Sequence, residues 1–461
     1  MPLITVPYVS RVLGPENIGI INFSTSYSAY FGVFAGLGIS LYGSREVAKL
    51  KDNFKARNKL FSELFLITIF SSFICSILYV ISIFSSVQLI PYKDYLLISG
   101  ITLYLSSFSL DWFYAGREKF KFIAIRSISI KIISLILIFS FVKNEIDGLL
   151  FLSIGVFSLF INNIWNFCYL IKNEVKISFS NVSLKVHIKP MLILLSTTLA
   201  VSVYTTLDTI MLGLLSDFNQ VGFYTSATKI SRLLLPFAVV TTTVLVPRIS
   251  YEFKKNNINK YNYYLNKSFD LICFFAIPMG IGLFICSPSF VPIFFGHKFL
   301  PVIEILQILS SVLIFVGLSN FFGVQVLTSA GLESKLLISI LCGACINFFL
   351  NLFLIPKYGA ISASIASVVA EIIILILTVY MVKIYTKVKV DWNQTMNALY
   401  SSVPMFLFYL IIPNFIASNI LQLILIILFG VISYAITQHY LFKNKIILDF
   451  YKHFKSITSW I

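Results

Sequence analysis

The stretch NILQLILIILFGVISYAITQHYL, residues 419–441, contains no Asp, Glu, Lys or Arg, and its apolar side chains fall on every side of a helix. A helix apolar all round is buried in a large core or in a bilayer, and about 20 such residues are the length that crosses hydrocarbon. Working outward, runs of the same kind recur between short polar turns. They lie near 18–43, 60–84, 92–116, 122–143 and 148–171, which number as helices 2 to 6. After the polar stretch KNEVKISFSNVSLKVHIK (172–189) they resume near 190–214, 222–247, 268–290, 301–329, 334–355 and 358–384, helices 7 to 12. A further run near 396–416 precedes the quoted one, giving helices 13 and 14, and a basic tail closes the chain at 442–461.

Composition excludes the soluble alternatives. The 461 residues are 58% hydrophobic and 12% charged, with mean hydropathy +0.90, whereas a soluble domain carries roughly 25% charged residues. The fold class expected is all-α integral membrane, with about fourteen spanning helices. The opening MPLITVPYV gives only about 14 Å of helix before Ser10 and Arg11 and has no basic region of a signal peptide. The first helix is therefore expected to be truncated here, and Pro2 and Pro7 suit a bent or broken one.

The net charge of +16 does not imply nucleic acid, because the basic residues sit in turns, where they set topology and meet anionic lipid. Most of the Lys and Arg fall in alternate loops. The opposite side has only Arg11, Lys93, Lys143, Lys298 and Lys357, and Lys131, Lys229 and Arg232 fall inside spans. Cytoplasmic loops carry the excess, so the C-terminus is expected in the cytoplasm of a cell with an inner membrane. Cys75, Cys168, Cys273, Cys286, Cys342 and Cys345 all lie in apolar runs, which argues against an extracellular disulfide framework. The Cys342/Cys345 pair has CxxC spacing but no further ligand nearby, so buried packing is expected rather than a metal or redox site.

An internal repeat emerges once the helices are numbered. At one fixed offset Gly19 falls on Gly222, Arg45 on Arg248, Lys51 on Lys254 and Asn53 on Asn256. Further on, Ala115-Gly116-Arg117-Glu118 matches Ala330-Gly331-Leu332-Glu333, and Gly148 matches Gly359. The expected organisation is an N-terminal lobe at 1–171, a C-terminal lobe at 190–384, and two extra helices at 396–441. An even number of helices per half runs both halves the same way, as in parallel transporter repeats.

The strings PLITVPYVSRVLGPENIGIINFS, LYGSREVAKLKDN, DWFYAGREKFKFIAIRS and YTTLDTIMLGLLSDFNQVGFYTSATKISRLLLPF, followed by VLVPRIS, resemble the Wzx-type oligosaccharide flippases of the multidrug/oligosaccharidyl-lipid/polysaccharide exporter superfamily. The resemblance covers nearly the whole chain. It implies two six-helix lobes in a V, a central cationic cavity, two extra helices and alternating access. It also implies an undecaprenyl-diphosphate-linked oligosaccharide as cargo, with a polysaccharide polymerase and chain-length machinery as partners.

The physical task selects candidate residues. A sugar diphosphate cannot enter hydrocarbon, since one ionised side chain at midplane already costs several kcal/mol, and charges within spans face a cavity or a partner. Lys131, Lys229, Arg232 and Asp208 are the candidates for a central substrate cavity; Asp208 and Lys229 also suit a structural ion pair. Arg232 carries a planar fork suited to phosphate. Glu371, central in helix 12, suits ion coupling or a neutral carboxyl packed against Ser or Asn. Arg45 and Arg248, related by the repeat, suit a cytoplasmic mouth or simple snorkelling. Asp111 and Arg126 lie at equal depth and are expected to pair. Asn162, Asn163 and Asn166 suit interhelical hydrogen bonding or sugar hydroxyls.

No catalytic residue, cofactor or metal site is expected: no acidic or His-rich cluster lies at a membrane surface, and there is no GxxxxGK[ST] phosphate loop. The function expected is outward translocation of the lipid-linked oligosaccharide. The rivals are a flippase for another anionic lipid-linked cargo such as a peptidoglycan or teichoic-acid precursor, a cation-coupled multidrug exporter, and a polytopic polymerase.

Overall fold

The computed structural model describes residues 2–50, 53–177, 182–255, 257–386, 388, 390–412, 416 and 418–444. Lys51, Asn256 and most of the basic tail lie outside them. The described residues contain helices and no strand, and the protein is an all-α membrane protein. Eight of the helices are long and apolar enough to cross a membrane, or nine if Phe218–Val239 and Val244–Lys254 form one bent span.

Glycine sets two of the breaks. The run Pro2–Gly36 is split at Gly14 (φ 73°, ψ 173°), a conformation open to a residue without Cβ, and Pro15 restarts the helix with its preset φ. Helix 1 is thus 2–13 and helix 2 is 15–36. The run Glu333–Tyr385 is likewise split at Gly359 (φ 54°, ψ −130°), giving helix 11 (333–358) and helix 12 (360–385). Between them lie helix 3 (Phe54–Ser85), helix 4 (Lys93–Ser106, resuming at Asp111–Gly116), helix 5 (Phe120–Phe141) and helix 6 (Gly148–Asn173). They are followed by helix 7 (Lys185–Leu215), helix 8 (Phe218–Lys254), helix 9 (Ile258–Phe294) and helix 10 (Val302–Asn320). Helix 10 continues as a π-helix over Phe321–Leu327. Helix 13 is Asn393–Ile411 and helix 14 is Asn419–Tyr440.

Three expectations need correcting. The single helix expected over 18–43 ends at Gly36, and a separate helix, Ile39–Lys49, follows the left-handed Leu37 and Gly38. The helix expected over 92–116 is interrupted between Ser106 and Asp111. Cys342 and Cys345, expected to be packed inside, are exposed, as is Cys168; a thiol is apolar enough to meet acyl chains. Helices 7, 8 and 9 also run past their apolar cores into polar flanks, because backbone hydrogen bonding continues where side-chain hydropathy has ended.

The chain divides into two compact units, 1–222 and 223–461, so helix 7 belongs to the first and helix 8 crosses the boundary. In the first unit the Pro2–Gly36 run packs against helices 3, 4, 6 and 7. An aromatic core of Phe61, Phe65, Phe108, Trp112, Phe113 and Phe167 gathers around the interrupted part of helix 4. Helix 2 meets the start of helix 8 backbone to backbone: a Cβ on Gly19 would lie 1.8 Å from the Phe218 carbonyl oxygen, and one on Gly222 would lie 2.0 Å from that of Pro15. Pro15 and Phe218 are related by the same offset as Gly19 and Gly222. The contact is therefore reciprocal, and small residues allow this approach between membrane helices.

In the second unit helix 9 is central, packing against helices 10, 13 and 14, while helix 10 packs against the helix 11–12 run. Phe269, Ile272, Cys273 and Phe321 are fully buried there. Helices 13 and 14 share a smaller core with Ile285 of helix 9 through Met405, Ile426 and Tyr434.

Candidate functional site

Lys131 stands about 16 Å along helix 5, at 1.5 Å per residue, and its side chain is exposed. Among the described residues no acidic group neutralises it. In the second unit Lys229 and Arg232 are both exposed and lie about one turn apart on helix 8. Because helix 8 begins at Phe218, Lys229 is also about 16 Å from its first residue, deeper than its apolar run suggested. It keeps accessible surface although protein is dense around it. Asp208, near the end of helix 7, is buried at 4% exposure. Asp208, Lys229 and Arg232 each engage other groups.

Glu371 is buried in helix 12, and Ser319 of helix 10 donates to its Oε2 at 3.4 Å. One turn before it, Ser367 meets the Tyr224 hydroxyl at 3.1 Å. Beside this pair the π-helix brings Gln325 Nε2 to Thr242 Oγ1 at 3.0 Å, and Thr242 donates to Asn320 Oδ1 at 2.6 Å. Such π segments inside helices are frequent at functional sites. The repeat-related arginines are exposed and locally held: Arg45 contacts Glu46 at 3.1 Å and lies over the Tyr42 ring, while Arg248 lies 4.9 Å from the centroid of Tyr264.

The expected Asp111–Arg126 pair is present. Arg126 Nη2 donates to Asp111 Oδ1 at 2.6 Å, Arg126 Nε donates to Asn162 Oδ1 at 2.9 Å, and Asn166 Nδ2 donates to the same Asp111 oxygen at 3.0 Å. Asn163 donates to the Leu105 carbonyl at 2.8 Å, stitching helix 6 to the interruption in helix 4. Arg126 is almost wholly buried, whereas the Asp111 side chain is 47% exposed.

Sequence reasoning missed a buried trio at the base of helix 7. His187 Nε2 meets Glu63 Oε2 at 2.9 Å, its Nδ1 meets the Tyr42 hydroxyl at 2.8 Å, and the Ser183 amide donates to Glu63 Oε1 at 2.7 Å. All three side chains are buried. Glu63, a carboxylate in an apolar run, was the available signal, since such a group requires a partner. That partner lies in a stretch that reads as a polar linker.

These features sit within a fold found in known transporters. The lipid II flippase MurJ in an inward closed conformation superposes with a TM-score of 0.78 at 20% identity, covering 96% of each chain. Among curated relatives, the putative O-antigen transporter of Escherichia coli (strain K12) is 24% identical over 393 residues, 81% of this chain and 90% of that protein. That of Shigella flexneri is 26% identical over 399 residues, 79% and 90%. Both are transporters, in keeping with the expectation of a non-enzyme. The family model described as polysaccharide biosynthesis protein matches residues 1–252, more than half of the chain, and this protein belongs to that family.

Proposed function

We propose that the protein moves a polyprenyl-diphosphate-linked oligosaccharide from the cytoplasmic to the periplasmic leaflet of an inner membrane by alternating access, with its C-terminus in the cytoplasm. The observation that carries the reading is a set of three cations inside the spans that keep accessible surface. Lys131, Lys229 and Arg232 are exposed, while Glu63, Asp208 and Glu371 are each at 4% exposure. A charge at such depth faces a cavity or a partner; Lys131 has no acidic partner among the described residues, and a cationic cavity is complementary to a diphosphate. Lys131, Lys229 and Arg232 bind the head group in this scheme, buried Asp208 tempers their charge, and Arg45 and Arg248 rim the cytoplasmic mouth.

Transport of an anion outward gains about 2.3 kcal/mol per charge per 100 mV when the interior is negative. Glu371, buried with Ser319 donating to it, is the group that couples the return step to an ion. The cargo of the O-antigen relatives supports a lipid-linked repeat unit over a peptidoglycan or teichoic-acid precursor. A cationic path disfavours a multidrug exporter of cations.

Arg232→Ala tests the reading. Inserted protein in normal amount with surface polysaccharide lost is the expected result, and Arg232→Lys restores it only in part, because an ammonium lacks the bidentate fork. Normal polysaccharide with the Ala variant overturns the assignment of Arg232.

A further inference from the structure

We propose that the Asp111 carboxylate, seated on Arg126, Asn162 and Asn166 where helix 4 is interrupted, is a subsite for a sugar hydroxyl of the transported head group. The inference rests on the flippase reading and adds where the carbohydrate, rather than the diphosphate, is recognised.

The geometry leaves one side of the carboxylate committed and the other open. Oδ1 takes hydrogen bonds from Arg126 at 2.6 Å and Asn166 at 3.0 Å, and no described donor reaches Oδ2. The side chain is 47% exposed although it lies within the span Ile90–Gly116, about 8 Å from the helix end at Gly116. A carboxylate exposed at that depth faces water, not acyl chains. Behind it the support is rigid: Arg126 is 1% exposed, Asn162 holds its Nε at 2.9 Å, and the Phe122 ring lies 5.5 Å from its guanidinium carbon.

Two buried polar atoms of this support have no hydrogen-bond partner among the described residues, Arg126 Nη1 and Asn166 Oδ1. Each belongs to a side chain at least nine-tenths buried, and each side chain already touches Asp111. Both atoms are sealed from solvent and belong to the support, and the face open to a ligand is the acceptor Asp111 Oδ2. Three ligand classes answer differently. A phosphate is repelled by the carboxylate, and a metal ion is repelled by the guanidinium that already balances it. A hydroxyl donates without bringing charge, so it satisfies the open carboxylate oxygen and leaves the Asp111–Arg126 pair balanced. A sugar presents several such hydroxyls on one ring.

The test uses the full chain in lipid nanodiscs and two probes, undecaprenyl diphosphate and undecaprenyl diphosphate bearing one N-acetylglucosamine, with bound lipid read by native mass spectrometry. The wild type should hold the sugar-bearing lipid more tightly. Asp111→Asn and Asp111→Glu should each weaken that lipid about tenfold or more, the range for a hydrogen bond to a charged group, and leave the sugar-free lipid unchanged. The Glu variant keeps the charge and displaces it, which guards against a neutral variant that fails to fold. A wild-type preference retained in both variants overturns the proposal, and so does a wild type without preference. Equal weakening of both lipids with a lowered thermal midpoint overturns it too, leaving Asp111 as scaffold. Failure of the wild type to bind either lipid defeats the flippase reading itself, a result distinct from the others.

Discussion

Replacing Gly222 by Ala adds one methyl group where helix 2 and the start of helix 8 cross. Its Cβ would sit 2.0 Å from the Pro15 carbonyl oxygen and 2.8 Å from the carbonyl carbon, both backbone atoms that no rotamer change can move. Ordinary C···O approach is about 3.3 Å or more, so the backbones must part by about 1.3 Å. Gly19→Ala meets the Phe218 carbonyl oxygen at 1.8 Å and asks for slightly more. Forcing a methyl into such packing costs about 1–3 kcal/mol, set against a gain of about 1 kcal/mol from the better helix propensity of Ala. The steric term wins. Gly155→Ala supplies the control, because it lies within helix 6 with nothing within 4 Å of its Cβ and receives only the propensity gain. Thermal midpoints of purified protein should fall by a few degrees for Gly19→Ala and Gly222→Ala and hold or rise for Gly155→Ala. The double variant should cost less than the two singles together, since the first methyl has already parted the pair. Surface polysaccharide should fall with the crossing variants alone. Crossing variants as stable and as active as Gly155→Ala would refute the reasoning.

Two further outcomes follow from the buried acids. Glu371→Gln keeps the size and the Ser319 contact, so cargo binding should persist while transport loses its dependence on an applied proton or sodium gradient; unaltered dependence in reconstituted vesicles removes Glu371 from coupling. His187→Ala strips Glu63 and Tyr42 of a buried partner, at a cost of about 1–3 kcal/mol for each group left unsatisfied. A lowered thermal midpoint that Glu63→Gln in the same chain partly restores is expected, and independent, additive effects of the two changes would show that the trio does not act as a unit.

The sequence made the helices legible because a bilayer demands long apolar runs, and Gly148 and Gly359 mark the starts of helices 6 and 12. It misled where backbone conformation departs from hydropathy. Gly36 and Gly38 around Leu37, and Ser106, Ser107 and Ser109 before Asp111, are break signals, but both lie inside longer apolar runs that read as continuous. Asp111 with Arg126 was readable because both are charges at one depth. Glu63 with His187 was not, because the partners are 124 residues apart and one lies in a stretch that looks like a connector.

In the proposed scheme the same contrast separates support from transport. In the first unit Glu63, an acid buried in apolar sequence, acquires dedicated partners, His187 and the Ser183 amide. Burying a charge is tolerable only with such pairing, and each pairing ties helices together. Lys131 follows another rule, being exposed at mid-helix without an acidic neighbour among the described residues. A lysine accessible at that depth contributes nothing to packing that Leu would not contribute better. Its retention makes physical sense if an anion passes it, and a diphosphate is an anion that neither the pairing network nor the acyl chains can supply.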